Sequence, residues 1–61
     1  MKLIKLFNLT DMNNECEVRE NESGGKVWEG VIGNCPMYIW KNEIASFNVE
    51  ENKLVFYIEY K

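Results

Sequence analysis

Histidine is absent from the 61 residues, and hydroxyl side chains are few: Thr10, Ser23, Ser46 and three tyrosines. No Ser-His or Cys-His nucleophilic pair can be assembled from this inventory, so hydrolase triads are excluded and no enzyme activity is expected. Only two cysteines occur, Cys16 and Cys35. They allow one bridge at most, and without histidine they cannot complete a zinc site. The simplest role for both thiols is that of small buried apolar side chains in a reducing cytosol, with a single disulfide as the alternative. A cysteine acting alone needs a cationic setting to lower its pKa, whereas the neighbours of Cys16 are Glu15 and Glu17.

Glycine is scarce, and only Gly24 and Gly25 are adjacent, so no phosphate-cradling loop is present. The ten carboxylates repeat no known ligand spacing. No metal and no cofactor is therefore expected. Long apolar runs are missing too: near Lys2 and Lys5, the residues Leu3, Ile4, Leu6, Phe7 and Leu9 are interrupted too early for a signal peptide or a membrane span. The expected location is the bacterial cytoplasm, with no membrane partner.

What is present is enough apolar material to fold. Hydrophobic residues make up 46% of the chain, with eight aromatics among them, which is well above the content of a disordered chain. A single domain over residues 1–61 follows. A domain of this size buries only about 60% of the surface its unfolded chain exposes, so its stability is marginal without a supplement such as self-association. The net charge of −3 is uneven. Residues 10–30 hold Asp11, Glu15, Glu17, Glu20, Glu22 and Glu29 against Arg19 and Lys26 alone. Such a surface repels phosphate and is suited either to a basic partner or simply to solvation. Glu15, Glu17, Glu20 and Glu22 are the residues expected to face a partner.

Leu3, Ile4, Leu6 and Phe7 suit one stripe of a short helix better than a strand, although a strand over residues 2–7 is the alternative. From Glu15 to Glu20 the pattern alternates, with Cys16 and Val18 inward, and predicts a half-buried strand. Residues 21–25 form a glycine-bearing turn, and Val27 to Ile32 return as a second strand with Trp28, Gly30 and Ile32 on one face. Gly33 and Asn34 break that strand. Asn34-Cys35-Pro36 reads as a helix start, with Pro36 at the first helical position. The last third is a hairpin: Ala45, Phe47 and Val49 alternate, residues 50–52 turn, and Leu54, Phe56, Ile58 and Tyr60 alternate again. The expected fold is α+β and mainly β, a four-stranded antiparallel sheet of two hairpins with a short N-terminal helix and one helical turn near residues 36–41. Val55 and Tyr57 put apolar groups on the second face of the last strand. A small monomer has little to cover both faces, so a homo-oligomer interface built on Val55, Tyr57 and Trp28 is expected. Coverage by the N-terminal segment within one chain is the alternative. The aromatic residues serve this core and interface more readily than the stacking of single-stranded bases.

At Val27-Trp28-Glu29-Gly30, at Cys35-Pro36, and over Ile44 to Val49 and Leu54 to Ile58, the chain resembles a group of very small proteins from phages and mobile elements of clostridial bacteria. The similarity spans roughly residues 15–60. Members share an apolar-aromatic-acid-glycine strand, a proline-led turn and a final hairpin. Where they carry an aspartate and an apolar residue before the proline, this chain has Asn34 and Cys35. The chain is also similar in size and type to an anti-CRISPR inhibitor of type II-A systems, whose fold is like that of the single-stranded-DNA-binding transcriptional positive cofactors. That resemblance implies an oligomeric binding protein that counters host defence by contacting a CRISPR effector or its DNA target. The alternative is a sheet-based regulator that binds DNA or modulates its topology.

Overall fold

The computed structural model describes residues 1–60. Its elements follow in the order α1 (Leu3–Phe7), β1 (Glu15–Glu20), β2 (Lys26–Val31), a 3₁₀ turn (Ile32–Asn34), α2 (Met37–Trp40), β3 (Glu43–Glu50) and β4 (Lys53–Glu59). Among the described residues the four strands form one sheet in the order β2-β1-β4-β3.

Each hairpin arises from local chemistry. Between β1 and β2 the chain reverses where Gly24 takes φ +73°, a value few side-chain-bearing residues adopt. The amide of Gly24 donates to the Glu20 carbonyl at 2.8 Å, and that of Gly25 to Ser23 Oγ at 3.1 Å. Between β3 and β4 the two loop residues Glu51 and Asn52 both have positive φ, +51° and +64°, as a type I′ turn requires. The bulge at Ala45 breaks the alternation expected there. Ile44 stands opposite Ile58 and Ser46 opposite Tyr57, leaving Ala45 without a direct partner.

The α+β, mainly β reading holds, with its helix, helical turn and two hairpins, but the sheet is mixed. β1 and β4 pair in parallel, from Cys16 opposite Leu54 to Glu20 opposite Ile58. Adjacent parallel strands need a long crossover, and the intervening chain supplies one through β2, the 3₁₀ turn, α2 and β3. The crossover carries β3 to the far edge and makes β1 and β4 the interior strands.

Both helices lie on the same face of the sheet. Leu3 and Phe7, four residues apart on α1, meet Ile39 of α2, Ile32, Cys35 and the strand residues Cys16, Val18, Phe56 and Ile58 in one buried cluster. Phe7 packs edge-on against Phe56 with ring centroids 5.4 Å apart. Five residues cannot sustain a helix in water, so α1 owes its shape to this docking and to its tethers. The Leu3 amide donates to the Asn42 carbonyl at 3.0 Å, the Ile44 amide to the Met1 carbonyl at 2.8 Å, and Thr10 Oγ1 closes the far end on the Leu6 carbonyl. The segment is therefore a helix, and the alternative strand over residues 2–7 does not form. Lys2 forms a bridge with Glu43 at the sheet edge before the helix begins.

Pro36 stands one place earlier than expected. It is the extended N-cap residue of α2, with φ −61° and ψ 146°, and Met37 opens the helix. The Trp40 indole donates to the Cys35 carbonyl, and Asn42 Nδ2 donates to the carbonyls of Tyr38 and Ile39 at 3.0 Å, so both ends of this single turn are tied.

Candidate functional site

Strand alternation assigns the second face of the sheet residue by residue. Because Cys16, Val18, Phe56 and Ile58 point at the helices, their neighbours Glu15, Glu17, Arg19, Lys53, Val55, Tyr57 and Glu59 point away. The registers add Glu29 from β2, opposite Glu17, with Lys26 opposite Arg19. From β3 they add Glu43, Ser46, Asn48 and Glu50. Among the described residues no helix packs on this face. It carries the carboxylates of Glu15, Glu17, Glu29, Glu43, Glu50 and Glu59 against the cations of Arg19, Lys26 and Lys53, with Lys2 opposite Glu43 at its rim.

Arg19, Lys26 and Lys53 are held by neighbours on the same face. Arg19 Nε donates to Glu17, a contact that raises the guanidinium pKa further. Lys26 reaches Glu29 at 2.9 Å, and Lys53 reaches the other oxygen of the same carboxylate across β1. These two hydrogen-bonded ammonium groups bring Glu29 down to about 2, and the same carboxylate raises Lys53. Glu50 accepts from the Tyr57 hydroxyl at 3.0 Å, Glu59 from Asn21 at 3.3 Å, and Glu43 from the N-terminal ammonium at 3.1 Å. Carboxylates thus remain in excess over side-chain cations across the whole face. A shallow hollow of about 150 Å³, lined by Glu17, Arg19, Glu50, Glu51, Lys53 and Val55, opens near its middle.

Of the four acids expected to act together, Glu15 lies exposed on this face, whereas Glu17, on the same face, is only 7% exposed beneath its pairing with Arg19. Glu20, opposite Ile58, lies on the helix side, and Glu22 is in the exposed β1–β2 turn. Glu29 and Glu50, distant in the chain from Glu15, join the face through strand order. The face of Glu29 was visible in the sequence, but Glu50, expected in the turn over residues 50–52, ends β3 instead, and the order that brings the strands together was not visible. Val55 and Tyr57 share the face, whereas Trp28 stands opposite Val18 on the helix side and packs against the core. Val55 is only 2% exposed within the single chain. Glu17 and Asn48 flank it across the ladders and Lys53 and Tyr57 along its own strand, so the stems of polar residues cover it.

Both cysteines are free and buried. Burial pushes the Cys16 thiol up to about 11 and the Cys35 thiol up to about 12. Thiols held protonated in this way are poor nucleophiles and poor metal ligands. No cluster of three or more metal-ligating side chains occurs among the described residues, and no helix among them is long and apolar enough to cross a membrane. Comparison with protein-family models, curated proteins and solved structures finds no match to this chain.

Proposed function

We propose that this protein is a non-catalytic binding protein that offers the uncovered face of its sheet to a cationic surface on another protein. One observation carries the reading: a sheet face on which, among the described residues, no helix packs and six carboxylates outnumber four side-chain cations. Repulsion among those carboxylates is relieved when a partner brings Lys or Arg to them, and field complementarity of this kind speeds encounter and selects partners. The resemblance to small phage and mobile-element proteins supplies the setting, counter-defence in a bacterial host cell. A type II-A CRISPR effector fits that setting, because it holds its guide–target duplex in a positively charged channel.

Direct DNA binding is the competing reading, and the charge works against it. Affinity for the phosphate backbone comes from Lys and Arg, and on this face Arg19, Lys26 and Lys53 are engaged with carboxylates. The aromatic side chains also share no common platform: Trp28 and Phe47 lie on the helix side, Tyr57 on the acidic face and Tyr38 on α2.

The test pairs a plasmid-protection assay in cells carrying a type II-A system with pulldown of the purified effector. Protection and capture are expected for the wild-type protein. Both should fall at least tenfold in Glu15→Lys/Glu50→Lys and persist in Leu9→Lys, a change at an exposed position outside the sheet. Absence of protection and capture, or salt-sensitive DNA binding that survives the charge reversal, would overturn the proposal.

A further inference from the structure

We propose that two copies of this chain pair edge to edge through β3, with Asn48 meeting Asn48 of the second copy on a two-fold axis. This inference concerns a different surface from the acidic face and stands apart from that reading.

β3 is an edge strand, so one side of its backbone has no partner strand. Counting back from the two-residue turn, Glu50 and Lys53 form a hydrogen-bonded pair, as do Asn48 with Val55 and Ser46 with Tyr57. The amides and carbonyls of Phe47 and Val49 therefore point away from the sheet. At one end this edge is occupied, because Lys2 bridges Glu43 and the Ile44 amide donates to Met1. At the other end the chain turns at Glu51. The open stretch is residues 46–50.

Antiparallel pairing of two such stretches has few registers. Placing Phe47 opposite Phe47 runs the turn end of one copy into the Met1–Lys2 segment already lying beside Ile44 of the other. Placing Val49 opposite Val49 sets Phe47 against the turn residue Glu51. Only the register centred on Asn48 sets every outward amide against an outward carbonyl, with Phe47 opposite Val49 twice. It also places Ser46 opposite Glu50 and brings no two carboxylates face to face.

The side chains favour the same occupant. Phe47 is 56% exposed and Val49 60%, and no residue of β2, the other edge strand, is an exposed large hydrophobic. An exposed apolar edge strand with no charge or proline at its centre is one that proteins ordinarily cover. In the pair, each Phe47 lies on the Val49 of the other copy, beside a shallow groove lined by Met1, Leu6, Ile44 and Ala45. Asn48 Oδ1 now accepts from the Val49 amide at 2.9 Å, a bond that the second strand's carbonyl replaces. The apolar area removed, roughly 200 Å² of side chain per copy, belongs to the small and reversible class of interface. Each copy carries −3, so salt should tighten the pair.

Sedimentation velocity from about 5 to 500 µM at low and high salt tests the pairing. The expected result is a monomer–dimer equilibrium with Kd on the order of tens of micromolar, several-fold tighter at high salt. Val49→Pro removes an outward amide without touching the β4 ladder, and Phe47→Lys sets like charges near the axis. Each should leave a folded monomer by circular dichroism, while Tyr57→Lys on the acidic face should still dimerise. Should Val49→Pro fail to fold, the wild-type protein decides through concentration-dependent exchange protection at the Phe47 and Val49 amides. A monomer at every concentration, or a dimer that persists in both β3 variants, would overturn the assignment.

Discussion

The contact between Phe7 and Phe56 offers the sharpest measurement of what holds the N-terminal segment in place. Their rings meet edge-on at 5.4 Å with planes 77° apart, and both are about 1% exposed. At roughly 0.05–0.15 kcal/mol per residue, the whole chain has about 3–9 kcal/mol of stability. Phe→Ala in a core costs about 3–5 kcal/mol, enough to unfold much of the population and leave nothing to compare. Phe→Leu keeps most of the volume and should cost about 1–2 kcal/mol at either position. If the edge-to-face geometry contributes beyond area, the double variant should be less destabilised than the sum of the singles by about 0.5–1.5 kcal/mol. Urea denaturation followed by the fluorescence of Trp28 and Trp40, both packed on the core, measures all four proteins. With a urea slope near ~1 kcal/mol/M, each single substitution moves the midpoint by about 1–2 M. Strict additivity would remove the aromatic geometry from the account. An unchanged midpoint in Phe7→Leu would mean that α1 is not docked at all.

Further outcomes follow from the site and the turn. Glu29 titrates lower in the folded chain than its ordinary value of 4.5, so its contribution to stability is full above that pH and fades as pH falls toward 2. Carbon-detected NMR should find its midpoint near 2 and find it raised in Lys53→Gln; a normal midpoint in the wild type would show that the bridge across β1 does not form. The buried thiols, at about 11 and 12, should react with a disulfide reagent at pH 8 at least tenfold more slowly in native protein than in urea, and rapid native labelling would contradict their burial. Replacing Glu51-Asn52 by Asn-Gly suits positive φ at both positions and should raise stability by about 0.5–1 kcal/mol in the same urea assay, whereas a loss would place another turn there.

Alternation at residues 15–20 and 54–60, the glycines after Ser23 and the helical spacing of Leu3 and Phe7 were legible along the chain, because each is a local rule linking neighbours two to four residues apart. They placed the two hairpins, the helix and most of the core. Pairing between β1 and β4 was not legible, since no local signal distinguishes a parallel from an antiparallel neighbour across more than thirty residues. One clue was present: the unbroken apolar run Leu54 to Ile58 marks a strand with neighbours on both sides, and the interior position of β4 accounts for Val55 without a second copy. The same strand order gathered Glu29 and Glu50 beside Glu15 and Glu17, and left Phe47 and Val49 on an open edge. Side-chain alternation depends on the local backbone and can be read from sequence. Which strand ends up at the rim depends on how the whole chain closes its core, and that closure decided which surfaces this protein presents to others.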